Sequence, residues 1–481
     1  MNDLPPGWTW TTFGEVARVA SDLVDPAGYP DYPHLAPNHV ESHTGRLFPL
    51  RTVAEDRVTS PKHRFRGGQI VYSKIRPYLG KVAMPAVGGL CSADMYPIDS
   101  YIEPRFLFWW MLTPRFTTLA SGHQARTVLP KINERALTGL PVPVPPLTEQ
   151  GRIVAAVEGE LSRVDKGCVL LSAVAQRVDR FREHVMLLAA TGRLGGRPAK
   201  ATAARPTPAG VADGDLPGLP STWQWCRLGD IADVVGGVTK DSKRQSAPDL
   251  VEVPYLRVAN VQRGFLDLSS VATIRVPATK ADALQLQPGD VLLNEGGDRD
   301  KLGRGWIWEG QIEPCIHQNH VFRARVRDDL IHPKLLAWHA NSFGKAWFQA
   351  NGRQSVNLAS ISLSKVKQFP VPLPPIEEQA QLVSIAEQYL SLLDKLEAAI
   401  GAAQVRAGKL RTSVLSTALA GRLVEQDPND EPASELLARI RAERANVPAR
   451  KRTRSPRTPR QAPAPSHGAS AGSYQEEELP L

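Results

Sequence analysis

The chain has 481 residues, more than one hydrophobic core usually serves, and its apolar content of 42% is typical of a globular protein, so we expect two or three domains. The net charge is +9, but residues 444 to 481 hold seven basic and three acidic residues, 7 − 3 = +4, which leaves +5 for the rest. Overall charge is therefore a weak argument for nucleic-acid binding. No segment has the length and apolarity of a membrane span, so we expect a cytoplasmic protein with no membrane partner.

The opening of the chain occurs twice. The stretch "LPPGWTWTTFGEVARV" begins at Leu4 and "LPSTWQWCRLGDIADV" begins at Leu219, which aligns Trp8 with Trp223. Each opening leads into a long stretch with short β-type runs, such as "GQIVYSKI" and "GDVLLNEGG", bounded by Gly, Pro and Asp. These runs predict two units of mixed α and β structure.

A Pro-rich hinge closes each unit. The hinges are "LPVPVPPLTEQ" from Leu140 and "FPVPLPPIEEQ" from Phe369, and seven of their eleven positions are identical. Such an internal repeat predicts two copies of one architecture. The offset between the copies is 215 residues at the openings and 229 at the hinges, so the second copy has 14 more residues in its middle. Matched ends and divergent middles indicate one scaffold that displays two different surfaces.

A long amphipathic helix is predicted after each hinge, because prolines suit the approach to a helix and the acidic residues that follow suit its first turn. An apolar stripe with a period of 3.5 residues runs from Ile153 to Leu188, and another from Leu382 to Thr417. This period is typical of a coiled coil, and each helix is the natural partner of the other. The residues expected to pair the helices are Val157, Val164, Leu171, Val178, Phe181, Tyr389, Leu393, Leu396, Ile400 and Leu410.

Two segments are expected to lack regular structure. Residues 193 to 218 are rich in Ala, Pro and Gly and predict a flexible linker. Residues 424 to 481 predict a largely disordered basic tail, which serves either as a nonspecific DNA tether or as a spare end.

The openings, the hinges and the paired helices together resemble the specificity subunit of a type I restriction-modification system. The resemblance covers residues 1 to about 425 and includes "VYSKIRPYLGKVA" and "VPYLRVANVQRG". It implies an α+β fold: two mixed α/β target-recognition domains in tandem pseudo-symmetric repeat, separated by two long helices that form an antiparallel coiled coil. The expected segments are 1–147, first recognition domain; 148–192, first spacer helix; 193–218, linker; 219–376, second recognition domain; 377–423, second spacer helix; and 424–481, tail.

The same resemblance implies the function. Each recognition domain would bind one half of a bipartite, asymmetric site on double-stranded DNA. The helices would hold two adenine-N6 methyltransferase subunits, to which restriction and translocase subunits add. The chain itself would be a non-catalytic recognition subunit without a cofactor.

Candidate DNA-binding residues are basic or amide side chains near aromatic and glycine residues, since such groups suit phosphate contacts and base edges. In the first domain they are Lys62, Arg64, Arg66, Lys74, Arg76, Tyr78 and Lys81. In the second they are Lys240, Lys243, Arg244, Arg257, Asn260, Arg299, Lys301, Arg304 and Arg353. The alternative for the first set is a solvated turn beside a strand, and for Arg257 and Asn260 it is a structural turn.

Two patterns imitate catalytic or metal chemistry. Cys315, His317 and His320 lie in "CIHQNH", but no fourth ligand is evident, and the four cysteines form no CxxC pair, so we expect no metal. The carboxylates of "NEGGDRDK" are either a metal-dependent nuclease cluster or a turn. Two alternatives to DNA recognition therefore remain: a nuclease, and a structural adaptor that binds no DNA.

Overall fold

The structure is a computed structural model that describes residues 4–122, 130–194, 207–240, 249–354 and 358–446. The chain divides into two compact units. Unit 1 comprises residues 1–157 and 415–481, and unit 2 comprises residues 158–414. The expected α+β class, with mixed domains and two long helices, is confirmed.

Unit 1 begins with a mixed α/β domain made of two sheets and short helices. Its elements are β1 (Thr9–Thr12), α1 (Phe13–Val16), β2 (Ala17–Val19), β3 (Leu23–Val24), β4 (Pro33–Leu35), β5 (Arg51–Thr52), β6 (Lys62–Phe65), β7 (Ile70–Ser73), β8 (Val82–Ala83), β9 (Gly89–Cys91), β10 (Met95–Ser100), α2 (Pro104–Met111), α3 (Pro114–Gly122), α4 (Glu134–Thr138), β11 (Pro141–Val144) and the long α5 (Leu147–Ala190), which continues into unit 2. The sheet orders are β2-β10-β7-β8 and β3-β6-β9-β4-β5, and β1 pairs with β11.

Unit 2 repeats much of this plan. Its elements are β12 (Gln224–Arg227), α6 (Leu228–Ile231), β13 (Ala232–Val235), β14 (Leu250–Leu256), β15 (Ala272–Pro277), α7 (Ala278–Leu284), β16 (Val291–Asn294), β17 (Gly296–Gly297), β18 (Gly305–Ile307), β19 (Ile316–His317), β20 (Val321–Val326), α8 (Pro333–Asn341), α9 (Phe343–Asn351), β21 (Arg353–Gln354), β22 (Ala359–Ser360), α10 (Leu363–Val366), β23 (Pro370–Leu373) and α11 (Ile376–Ala418), whose last turn belongs to unit 1. The sheet orders are β13-β20-β16-β18, β15-β14-β19 and β17-β22-β21.

The sequence repeat is also a structural repeat. The hinge prolines form a strand that pairs antiparallel with the opening strand, Trp10 opposite Pro143 in unit 1 and Trp225 opposite Pro372 in unit 2. Proline is tolerated here because each sheet has two strands, so one side of the proline strand needs no hydrogen-bond donor. The ladders β2-β10-β7-β8 and β13-β20-β16-β18 are antiparallel throughout, which gives both units the same central sheet.

Each mixed domain is joined to its long helix by a hydrogen bond from tryptophan to glutamate, buried in unit 1 and half-buried in unit 2. Trp8 Nε1 donates to Glu149 Oε2 at 3.0 Å, and Trp223 Nε1 donates to Glu378 Oε2 at 3.0 Å. Burial raises the pKa of Glu149, and the bond from Trp8 opposes this rise. The first indole therefore stabilises a carboxylate that is costly to bury.

The neighbouring glutamine completes the junction. Gln150 Oε1 accepts from the Glu103 backbone N–H at 2.9 Å, while its Nε2 donates to Pro145 O at 2.9 Å. Gln379 does the same in unit 2 with His332 N–H and Pro374 O, at 2.6 Å and 3.1 Å. The Glu-Gln pair of each hinge thus ties the first helical turn to the domain before it.

The far ends of the long helices meet the same tryptophans. Gly192 and Gly421 follow α5 and α11 with φ of +71° and +67°, the left-handed conformation that glycine adopts most readily. A Cβ at Gly421 would lie 2.4 Å from Pro5 Cγ, and one at Gly192 would lie 2.8 Å from Trp223. Glycine is therefore required for the close approach of each helix end to an indole ring.

The two long helices pair antiparallel within unit 2. Arg182 contacts Asp394 at 2.7 Å and Glu397 at 3.0 Å, while Arg411 contacts Asp165 at 3.1 Å. The residue numbers rise along one helix as they fall along the other, which is the antiparallel arrangement.

The residues predicted to pair the helices lie in three environments. Val157, Val178 and Ile400 are buried, and Val164, Leu171 and Leu393 are half-buried. Phe181, Tyr389, Leu396 and Leu410 are 57%, 48%, 44% and 52% exposed, so the prediction that they pair the helices is wrong. The physical reason is that an apolar stripe does not determine which of its two flanks on the helix surface is buried. A period of 3.5 residues fits either side of the shared positions, and on α5 the less exposed side holds the buried Leu161 and the half-buried Cys168, Ala175 and Arg182.

Part of the segment after α11 is helical. The helix α12 (Ala433–Ala445) belongs to unit 1, and this corrects the expectation for that part of the tail. Its buried residues, Ala433, Leu436, Leu437 and Ile440, have the i, i+3, i+4, i+7 spacing of an apolar helix face. Arg441 pairs with Glu15 at 2.6 Å. Residues 447–481 lie outside the described residues.

No helix in the described part of the chain is long and apolar enough to cross a membrane.

We expect Trp8→Phe to lower the free energy of unfolding by about 1–3 kcal/mol at neutral pH, because it leaves the buried Glu149 carboxylate without its donor. A raised pKa in the folded state means that folding favours the protonated acid, so the loss shrinks as pH falls toward the ordinary value of 4.5. Denaturant melts at pH 8 and pH 5 measure both effects. The control is Trp10→Phe, since Trp10 Nε1 has no hydrogen-bond partner among the described residues; equal losses in the two variants would contradict the assignment.

We expect Gly421→Ala to destabilise the protein by about 1–3 kcal/mol, since it adds both left-handed strain and the clash with Pro5. The matched control is Gly401→Ala within α11, where a Cβ meets open space, and which should stabilise by about 0.5–1 kcal/mol. Thermal unfolding compares the two, and effects of the same sign would argue against a required glycine at position 421.

Candidate nucleic-acid interface

A basic loop follows the strand β7 in the central sheet of unit 1. We call residues 74 to 77 with their partner segment, residues 130 to 132, the first hook. Arg76 N–H donates to Pro130 O at 2.8 Å, and Ile132 N–H donates to Lys74 O at 2.9 Å. The Lys74 N–H in turn donates to Asp94 O at 2.9 Å. These three backbone bonds hold the loop rigidly on the sheet.

The first hook carries basic side chains, and aromatic side chains lie beside it. Arg76 is exposed and has a φ of +47°, and Tyr78 beyond it is 46% exposed. Lys74 lies 5.0 Å from the centre of the Tyr96 ring, and its pKa is lowered, first by burial and then by the nearby Lys131. A rigid loop with exposed cationic and aromatic groups is chemically suited to phosphates and base edges.

Unit 2 has the same loop after the equivalent strand β16. The second hook consists of residues 295 to 298 with their partner segment, residues 359 to 361. Ile361 N–H donates to Glu295 O at 2.9 Å, and Glu295 N–H donates to His320 O at 2.9 Å. Gly296 and Gly297 pair with Ser360 and Ala359, and the same strand brings in Arg353 and Gln354. The backbone bonds thus match those of the first hook, with Glu295 in the place of Lys74.

The side chains of the second hook differ from those of the first. His320 Nδ1 lies 2.6 Å from Glu295. The Asp298 carboxylate accepts from Lys301, which lowers its pKa. Arg299 and Arg353 are exposed. Arg353, chosen from a separate stretch of sequence, is therefore brought next to the glycine-rich loop, and it shares a concave surface with Glu295 and Lys365.

Several candidates of unit 1 are held by other residues. Lys62 is 8% exposed, and its ammonium donates to Ser60 O at 3.0 Å, so the prediction that it contacts DNA does not fit the structure. Arg64 pairs with Asp22 at 2.9 Å, and Arg66 pairs with Asp99 at 2.5 Å. Lys81 donates to Pro37 O at 2.7 Å. The acidic partner Asp99 also binds Arg18, and no local pattern in the sequence indicated it.

In unit 2, Asn260 stabilises a turn, which is the alternative to DNA contact for this residue. Asn260 is 3% exposed, accepts from Arg257 N–H and donates to Asp267 O and Ser270 O, each at 2.9 Å. The prediction that it contacts adenine is corrected for this reason. Arg257 is half-buried beside it, and burial lowers the pKa of Arg304, whose guanidinium donates to Val258 O. Lys240 is exposed, whereas Lys243 and Arg244 lie outside the described residues.

The catalytic alternative finds no support in the geometry. The carboxylates of Glu295 and Asp298 are occupied by His320 and Lys301. His317 is buried and close to Val321 O at 2.6 Å, and burial lowers its pKa to about 4. Within the described ranges no group of three or more His, Cys, Asp or Glu side chains is placed to hold a metal ion.

Comparison with known proteins agrees with this architecture. Residues 220–403 match the family described as type I restriction modification DNA specificity domain. The EcoDI specificity subunit of Escherichia coli is 49% identical over 191 residues, which cover 40% of this chain and 43% of that protein. The StySPI specificity subunit of Salmonella potsdam is 25% identical over 371 residues, 74% of this chain and 75% of that protein. The chain thus spans less than half of the first relative and three quarters of the second.

A solved chain from work on complex assembly and conformational transition of the type I R-M system has the same fold. It is 21% identical with a TM-score of 0.66, and the likeness covers 88% of this chain and 100% of that one. The likeness extends over the duplicated domains and the paired helices. The chain is thus similar to type I restriction enzyme specificity subunits, and its residues 220–403 match the DNA specificity domain of that family.

In unit 2, alanine substitution of a buried candidate and of an exposed candidate should affect stability and DNA binding differently. Asn260→Ala should lower the free energy of unfolding by about 2–3 kcal/mol because it leaves buried backbone groups unpaired. Arg353→Ala should change stability by less than about 0.5 kcal/mol but weaken DNA binding by the complex, with a salt slope smaller by about one. Denaturant melts and salt-titrated binding test this, and a stable Asn260→Ala variant would reopen its DNA role.

Proposed function

We propose that the chain recognises a bipartite, asymmetric site on double-stranded DNA. The first recognition domain reads one half and the second reads the other, and the chain directs adenine-N6 methyltransferase subunits and restriction subunits to that site. In this proposal the chain binds the DNA and sets the distance between the two half-sites, while other subunits carry out catalysis. Because its substrate is cellular DNA, the protein acts in the cytoplasm.

The observation that carries the proposal is the pair of hooks. Equal backbone bonds hold Lys74 in one unit and Glu295 in the other, so one scaffold presents opposite charges at equivalent positions. Because the two hooks have the same backbone bonds but different side chains, each hook would contact a different DNA sequence. A symmetric protein would require a symmetric site, as in dimeric DNA-binding proteins.

The long helices supply a surface for partner subunits. Several large apolar side chains on the unit 2 parts of α5 and α11 face solvent, namely Val169, Leu170, Phe181, Leu392 and Val405, with exposed fractions between 57% and 68%. Contiguous exposed apolar patches mark protein interaction sites, and apolar side chains on the two helices can contribute to one. They support docking of methyltransferase subunits on the helices, because the hook loops are basic or polar and suit DNA.

The test is a methylome by single-molecule sequencing. Cells that carry the chain with its cognate methyltransferase subunit are compared with cells that lack only this chain. We expect a methylated adenine motif with two unlike halves and a fixed gap, which disappears with the chain. The control is a complex that carries Trp10→Phe and is expressed at the same level. Trp10 packs against Trp110 inside the first domain. Motifs that persist without the chain would refute the proposal.

A further inference from the structure

Each hook has a residue with a positive φ angle at the same position of the loop. Arg76 and Gly297 both lie two residues after the first hook position, Lys74 in one unit and Glu295 in the other. Their φ angles are +47° and +131°, both in the region that favours glycine. The loop therefore requires a positive φ here, and the second unit satisfies it with the residue for which it costs least.

An arginine in this conformation is strained, and the strain persists because the surrounding bonds determine it. The Arg76 N–H donates to Pro130 O at 2.8 Å, and its carbonyl accepts from Leu79 N–H at 2.9 Å. Pro77 next to it is buried. The backbone therefore presents the Cα to Cβ bond of Arg76 in one direction, with little freedom in the loop.

The side chain of Arg76 has no structural task in the described part of the chain. It is exposed, and its guanidinium has no hydrogen bond or ion pair with a described residue. The nearby Arg64 and Arg66 differ, since each is paired with an aspartate. A strained position on a rigid loop, with a cation that pairs with no described residue, indicates a role for the side chain outside the fold.

We propose that Arg76 determines sequence specificity by binding a guanine edge in the half-site of the first recognition domain. The inference rests on the proposed function. Guanidinium groups pair in bidentate fashion with guanine O6 and N7, a contact that depends on a fixed approach direction. In the second unit Gly297 leaves the equivalent position without a side chain, so that half-site is recognised by other residues.

The decisive variant is Arg76→Gly in the full chain, combined with its cognate methyltransferase subunit. It removes the side chain and the strain together. We expect the methylome to lose about 10- to 100-fold discrimination at one guanine of one half-site, with the other half unchanged. The melting temperature of the purified complex should be equal or higher, since glycine tolerates this φ.

Arg57→Gly is the matched control. Arg57 lies in the same unit, is exposed, and has a φ of +50°, so the chemical change and the release of strain are the same. The proposal expects its motif to be that of the unchanged chain, again with no fall in melting temperature. Loss of the same guanine in both variants would mean a general effect of charge or flexibility and would overturn the proposal.

The remaining outcomes are distinguishable. An unchanged chain that yields no split motif refutes the proposed function itself. If the Arg76→Gly complex still methylates the same split motif, the guanine contact alone is refuted. If methylation falls equally for every sequence, the guanine contact is also refuted, and a phosphate contact is indicated. A lower melting temperature in Arg76→Gly would show that the arginine supports the fold, and it would also overturn the inference.

Discussion

The hydrogen bond from a buried tryptophan to a glutamate in the first turn of a long helix is the constraint on which each unit depends. In unit 1 the Trp8 indole lies between Glu149, at the start of α5, and Gly421, at the end of α11. Unit 2 repeats the arrangement around Trp223. A buried carboxylate demands a donor, and a ring packed on a helix end demands glycine, so the direction in which the helix leaves the domain is fixed.

This junction explains why the two copies could diverge so far elsewhere. The hinge strand and the Glu-Gln pair keep the central sheet in the same relation to its helix, and the hooks inherit the same backbone bonds. Side chains on the hooks are then free to differ, as Lys74 and Glu295 do. The matched ends of the repeat stabilise the junctions, and under the proposed function specificity resides in loops that contribute little to the core.

The paired helices divide their apolar residues between two tasks. The contact between the helices includes half-buried small and charged residues, such as Ala175 and Arg182, while large apolar residues such as Phe181 are exposed. The seam needs only enough apolar surface to hold two helices that are already anchored at the junctions. An apolar stripe therefore indicated the presence of both helices and their pairing, but not which flank of each helix is buried.

The sequence by itself determined the duplication, the two mixed domains and the long helices, because repeats, helical period and glycine at helix ends are local signals. Only the tertiary structure decided which basic residues are available. Arg66 is bound by Asp99, 33 residues away, and Arg64 by Asp22, 42 residues away. It also decided that Arg76 is equivalent to Gly297, since that match follows from backbone bonds between segments distant in the chain, and no local pattern records such bonds.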